Sequence, residues 1–430
     1  MTGAANKTLA ALRAGELAGA RELDLSGAEL TEFPPEIFGL ADTLEALDLS
    51  GSRLSTLPPD LGRLKRLRFL FCSYSPFRRL PESLGDCEAL SQVGFRDCGL
   101  EELPAEALPP RLRWLTLTNN RLTSLPAALG ERPALQKLML AGNRLNSLPQ
   151  GLARAPNLEL LRLSANRFEA MPGWLAELPA LAWLAWAGNP FDTGDDTTSG
   201  PVAWRELAVG KALGRGASGD VFEVAWNGQG TSRPAALKLF RGAMTSDGLP
   251  EREMAACLAV GEHPNLTGAL GRVVGHPDDA EGLLMPLLPD GWRVLAGPPS
   301  RQTCSRDVYA ADFRLPLDVA RRLVRDVAAG TARLHARGLS HGDLYAHNVL
   351  WDGETGAAVL SDFGAAAFLP PGEERRWSAL DVRAFGLLLG EVLDGVEGEV
   401  PAALRALEAA CVQPDGGARP SMDEALAALS

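Results

Sequence analysis

Residues 341–350 read HGDLYAHNVL, and SDFG follows at 361–364. This places Asp343 five positions before Asn348 and puts a second carboxylate, Asp362, downstream. Upstream, LAVGKALGRGASGDVFEVAW (207–226) holds Gly214, Gly216 and Gly219 in a GxGxxG pattern between two strand-like runs. Glycines let a backbone approach and cover phosphate groups. The dinucleotide-binding form of the pattern opens a helix, and none is expected here. Nineteen residues after Gly219, the alternating stretch PAALKLF (234–240) carries Lys238. Positioned carboxylates, an amide and an ammonium beside a phosphate-covering loop suit phosphoryl transfer, which needs little covalent chemistry and much electrostatic stabilisation.

The order and spacing of these segments resemble the protein kinase family from about residue 204 to 430. The resemblance implies that ATP lies under Gly214, Arg215, Gly216, Gly219 and Val221 and against Ala236. Lys238 then contacts the α- and β-phosphates and pairs with a helix Glu. LPEREMAACLAVGEHPNL (249–266) offers Glu251 or Glu253 for that pair. Glu253 is preferred, because helical spacing puts Cys257 one turn on, on the same face. LLMPLLPDG (283–291) resembles the hinge, with Met285 at the back of the pocket and Leu287 and Leu288 offering backbone groups to adenine. PLDVARRLVRDVAAGTARLHARG (316–338) has helical periodicity and should deliver the loop of His341. In that loop Asp343 matches the residue that orients the acceptor hydroxyl and takes its proton. Asn348 and Asp362 match the metal-holding residues for Mg²⁺ or Mn²⁺, and Phe363 and Gly364 complete the motif. Asp381, leading DVRAFGLLLGEVL (381–393), matches the anchor of the loop.

Three departures from the family pattern stand out. Gly342 occupies the position of an Arg that, in many kinases, grips a phosphorylated activation loop. Tyr345 occupies the position of a cation, and His347, two residues on, is a candidate to supply part of that charge when protonated, with loop packing as the alternative. Only residues 365–380 separate Gly364 from Asp381, with no Ala-Pro-Glu; Arg419 therefore lacks its usual Glu, leaving Glu373 or Glu374 as substitutes.

The elements before this half are repeats. LEALDLSGSRLSTLPPDLGRLKR (44–66) superposes without gaps on 112–134, 135–157 and 158–180, a period of 23 shared by about eight units. The array is identified as leucine-rich repeats. In each unit the Leu-x-Leu alternation makes a short strand, an Asn (Asn120, Asn143, Asn166, Asn189) ladders along the turn, and Leu-Pro starts the return path. Ala28, Ser52, Ser75 and Cys98 fill the Asn slot in the first four units, weakening the ladder there. The concave strand face presents Phe69, Phe71, Tyr74, Trp114, Met139, Leu160 and Trp183, expected to dock an unidentified protein. The alternative is an intramolecular repeat–kinase contact that covers this patch.

The expected organisation is two-domain: a capping helix at 1–19, repeats over 20–191, a linker at 192–204 and a bilobal α+β kinase-like domain over 205–430. That domain divides into an N-lobe (205–285), a hinge (286–290) and a C-lobe (291–430). A net charge of −12 offers no basic footprint for nucleic acid. No run of apolar residues is long enough to span a bilayer, and no secretory leader is read. Six cysteines without metal or CxxC spacing suit a reducing compartment, hence the cytoplasm. Ala, Arg, Leu and Gly usage suits a bacterial source. The expected activity is an ATP- and Mg-dependent protein kinase acting on a Ser, Thr or Tyr hydroxyl, autophosphorylation included, with the repeats recruiting a partner. Two alternatives stay open: a nucleotide-binding pseudokinase serving as a signalling scaffold, and a small-molecule kinase, because HGDL is similar to aminoglycoside phosphotransferases.

Overall fold

The computed structural model describes the chain apart from Met1, residues 195–199, Ala217, Gln229, Gly230, Ala243 and Ser246, and apart from the Thr2 side chain. It divides into two compact units, 1–180 and 181–430.

In the first unit, helix α1 (Thr2–Arg13) precedes seven three-residue strands: β1 (Glu22–Asp24), β2 (Ala46–Asp48), β3 (Phe69–Phe71), β4 (Gln92–Gly94), β5 (Trp114–Thr116), β6 (Lys137–Met139) and β7 (Leu160–Arg162). They pair in parallel and in chain order, equivalent residues side by side. The Leu-x-Leu spacing dictates this, since only one face of each strand can be apolar and successive units share that face. Leu47, Leu70, Leu115, Leu138 and Leu161 are buried at the strand centres. On the return side Pro34, Pro81, Pro104, Pro126, Pro149 and Pro172 each sit extended just before a short 3-10 turn. Fixed φ and a missing N–H make Pro suited to that position.

The Asn slot behaves as a ladder. Asn143 accepts from the Leu122 amide (3.1 Å) and donates to the carbonyls of Leu117 and Leu140 (both 2.9 Å). Asn166 repeats the pattern on Leu145, Leu140 and Leu163. Nearer the N-terminus the Ser52 and Ser75 hydroxyls bond each other (3.1 Å), and the Cys98 thiol donates to the Cys72 carbonyl (3.2 Å). Cys72, Cys87 and Cys98 are buried, and burial pushes the Cys98 thiol up to about 11 and Cys87 up to about 12. Such thiols are inert.

The expected docking face is less open than its sequence suggests. Phe69, Met139, Leu160 and Trp183 are buried, Phe71 and Trp114 half-buried, and only Tyr74 is well exposed, at 58%. Trp114 donates to the Thr116 hydroxyl and lies under the Lys137 ammonium, 4.2 Å from its ring centre.

The second unit contains the last repeat strand, β8 (Trp183–Ala185), which lies within the expected repeat span of 20–191. The expected linker is partly structured. The buried Asp192 carboxylate pairs with Arg252 at 2.7 Å, and β9 (Pro201–Ala203) joins a sheet, while residues 195–199 lie outside the described residues. That sheet runs β10 (Leu207–Arg215), β11 (Gly219–Trp226), β12 (Arg233–Phe240), β14 (Gly282–Met285), β13 (Gly271–Val274), β9, and helix α2 (Pro250–Val260) accompanies it. The remainder is mainly helical: α3 (Leu317–Ala336), α4 (Glu374–Asp394), α5 (Ala402–Cys411) and α6 (Met422–Ala428). Small sheets formed by β15 (Arg293–Val294), β17 (Val349–Trp351) and β18 (Ala358–Leu360), and by β16 (Leu339–Ser340) with β19 (Ala367–Phe368), complete it. Among the described residues no helix is long and apolar enough to cross a membrane.

Candidate active site

Between the sheet and the helical part lies a cleft of about 660 Å³, lined by Val221, Ala236, Lys238, Glu253, Cys257, Met285, Leu287, Leu288, Asp362 and Phe363, among others. The β12–β14 register sets Ala236 directly beside Met285, which builds its apolar floor. Lys238 projects from β12, and of the two candidate acids on α2 it is Glu253 that pairs with it. Burial alone disfavours the Lys238 ammonium, but the charges of Glu253 and Asp362 hold its pKa above the ordinary value, so it stays cationic. The same burial, with Asp362 nearby, pushes the Glu253 carboxyl up, and the Lys238 charge opposes that rise.

The glycines of the flap divide their duties. Among the described residues a Cβ on Gly214 would meet nothing within 4 Å, and one on Gly216 only the Gly219 carbonyl at 3.8 Å, which leaves open space under the flap. A Cβ on Gly219 would lie 2.2 Å from the Leu239 carbonyl, so this glycine is required by strand packing. Arg215 turns to Asp220 (2.9 Å), which Arg241 also holds, and the two guanidinium groups lower that carboxyl to about 2.

Across the cleft, Asn348 donates to both the carbonyl (2.8 Å) and the carboxylate (3.0 Å) of Asp343. The Ser361 amide and hydroxyl each bond the Asn348 carbonyl at 2.8 Å, tying this loop to Asp362. Asp362 has φ +61, a left-handed conformation that Asp tolerates, and its carboxylate accepts from the Gly364 amide at 3.1 Å. The Asp343 amide donates to His341 Nδ1, so His341 Nε2 carries the proton and donates to the Ser361 carbonyl (3.1 Å). Phe363 is buried, its ring 5.6 Å from that of His341. Beneath, Asp381 accepts from the amides of His341 (2.8 Å) and Gly342 (3.0 Å) and bonds His335 Nε2 (3.0 Å). Burial would raise its pKa, but the His335 bond and the nearby imidazoles outweigh burial and hold it below the ordinary range.

Comparison with known proteins gives the same architecture. Residues 43–64, 110–168 and 133–191 match leucine-rich repeats, and residues 207–383 match the protein kinase domain. The chain joins leucine-rich repeats to a protein kinase domain. Serine/threonine-protein kinase PkaB of Streptomyces coelicolor is 34% identical over 168 residues, covering 36% of each chain. Kinase suppressor of Ras 2 of Homo sapiens is 24% identical over 163 residues, 38% of this chain and 15% of that protein. Tyrosine-protein kinase receptor TYRO3 of Gallus gallus is 26% identical over 226 residues, 46% of this chain and 25% of that protein. The chain thus spans about a third or less of the curated relatives it matches.

Several features of the kinase domain escaped sequence reasoning. Asp307, between β15 and α3, accepts from both the amide (2.9 Å) and Nδ1 (2.7 Å) of His347. Burial lowers the His347 pKa, but the Asp307 bond and the charges of Asp343, Asp307 and Asp362 together raise it above the ordinary value. No spacing links Asp307 to the loop, so no local signal could have found it. Among the described residues Arg419 forms no ion pair with a carboxylate: it is buried and donates to the carbonyls of Ala379 (2.8 Å), Gln413 (2.7 Å) and Pro414 (3.1 Å), and burial lowers it to about 10. Neither Glu373 nor Glu374 substitutes. Glu373 accepts from Trp377 and Arg376, and Glu374 accepts from the Gly372 amide. The reason is distance along the chain: α4 starts at Glu374, so the segment after Gly364 is only residues 365–373.

Proposed function

We propose that the kinase domain transfers the γ-phosphate of Mg·ATP, or of its Mn²⁺ complex, to a Ser, Thr or Tyr hydroxyl of a protein, and that the repeats recruit a partner. The observation that carries this reading is the cleft itself, with Lys238 paired to Glu253 on one wall and facing Asp362, and Asn348 clasping Asp343 on the other. Asp343 would orient the acceptor hydroxyl and take its proton. Among the described residues no three His, Cys, Asp or Glu gather as a metal cage. Mg²⁺ is ordinarily held by one or two carboxylates together with substrate phosphates, and Asp362 with Asn348 is such a partial set. When bound, the metal neutralises charge on the phosphates. The names of the relatives are divided between serine/threonine and tyrosine kinases, so the acceptor is given as the class of hydroxyl. We place the protein in the cytoplasm.

The short 365–373 segment favours a second reading, in which the domain binds nucleotide and serves as an interaction module. Labelling by γ-phosphate separates the two, with the chain itself and a generic protein as acceptors. Asp343→Asn and Lys238→Met should each lower labelling by at least about 10²-fold. Absence of labelling in the parent chain, with ATP still raising its melting temperature, would select the second reading.

A further inference from the structure

The last repeat strand and the catalytic loop belong to one compact unit. Within it the Trp183 indole N–H donates to the Leu344 carbonyl at 2.9 Å, on the residue that follows Asp343. The Trp183 ring stacks on Tyr345, centroids 4.2 Å apart and planes within 8°, and the Arg306 guanidinium lies over the same indole at 5.1 Å. Tyr345 in turn packs against His347 (5.0 Å), which Asp307 holds. Gly342 fits this arrangement. Its φ is +69, and a Cβ there would sit 2.7 Å from both the Leu184 and the Ala365 carbonyls. An Arg at position 342 and the β8 backbone cannot share that space. Trp186 adds a bond to the Phe368 carbonyl (3.3 Å) and packs near Trp377. The two odd residues of the loop, Gly342 and Tyr345, thus both lie against β8.

We propose that Trp183 is a positioning residue of the kinase domain: its stack on Tyr345 and its bond to Leu344 hold the backbone that carries Asp343, so the last repeat is an integral part of the catalytic apparatus. The short segment after Gly364 leaves this support to β8. A bond to the very next carbonyl and a stack two residues on restrict the loop on the side where Asp381 does not reach. Small displacements of a catalytic group cost large factors in rate, about 10²-fold for an ångström.

The proposal rests on the reading of the cleft as a kinase site, and the test keeps the two apart. In the full chain, Trp183→Ala should lower kcat for labelling by about 10²-fold with the KM for ATP unchanged. Trp183→Phe, which keeps an aromatic on Tyr345 but loses the bond to Leu344, should fall between it and the parent. Amide hydrogen exchange should quicken over residues 344–348 in both variants, and stay unchanged along β12. An unchanged or raised kcat in Trp183→Ala, or a joint loss of ATP affinity and rate, would overturn the proposal. If the parent chain does not label protein, the kinase reading fails while the exchange measurement still decides: unaltered exchange in the loop sinks the role of Trp183. Should Trp183→Ala not fold, exchange in Trp183→Phe makes the same decision.

Discussion

Asn143 in the repeats and Asn348 in the catalytic loop are both buried, and both donate through their amide nitrogen. Their partners differ. Asn143 bonds backbone groups only, in its own turn and in the neighbouring one. Asn348 bonds the side chain of Asp343 as well as its carbonyl. In the first unit the amide satisfies main-chain groups that repetition generates every 23 residues, so Ser or Cys can fill the slot at some cost in hydrogen bonds. In the kinase domain the same amide orients one unique carboxylate. A buried polar residue therefore reports on stability in one region and on chemistry in the other.

Substitutions can break this contrast. Asn348→Ala should lower labelling by about 10²- to 10³-fold, equivalent to ~3–4 kcal/mol of transition-state stabilisation, with little change in global stability. A large loss of stability with the residual rate intact would show that Asn348 is another ladder residue. Asn143→Ala leaves the buried Leu122 amide without its acceptor and takes one of two Asn donors from each of the Leu117 and Leu140 carbonyls, and should cost the repeats about 2 kcal/mol in chemical denaturation while kcat is unaltered. Ser52→Ala removes a weaker hydroxyl pair and should cost about 1 kcal/mol or less. A larger loss for Ser52 than for Asn143 would contradict the ladder.

The smallest effect expected is in pH dependence. His347 has its pKa raised in the folded state, so the stabilisation from its protonated form is complete below its unfolded value of about 6.5. It is lost as pH rises through the higher folded value. His347→Gln and Asp307→Asn should both flatten the stability profile above pH ~6.5, measured as denaturation midpoint against pH. If the protonated imidazole also assists the transfer, kcat of the parent chain will fall over the same window.

Much of the fold was legible because its signals are local. Strands β1–β7 lie where the Leu-x-Leu period puts them, and the Pro of each Leu-Pro step precedes its turn, since both depend on a few consecutive residues. The candidate site was legible where motif spacing is short, as for Asp343 and Asn348, or where helical geometry chooses between neighbours, as for Glu253 over Glu251. Asp307 was missed because it meets His347 across 40 residues, and nothing in its own neighbourhood marks it. Trp183 was placed on an open docking face because strand alternation says which face a residue takes, not what covers it.

By itself the sequence determined the repeat period, the order of the kinase segments and the residue types proposed for transfer, because these follow from residue type and local spacing. Only the tertiary structure decided that the last repeat strand belongs with the kinase domain. It also decided why residue 342 is glycine and which residues hold the loop behind Asp343, because those depend on close approach between backbones as far apart in the chain as Leu184 and Gly342.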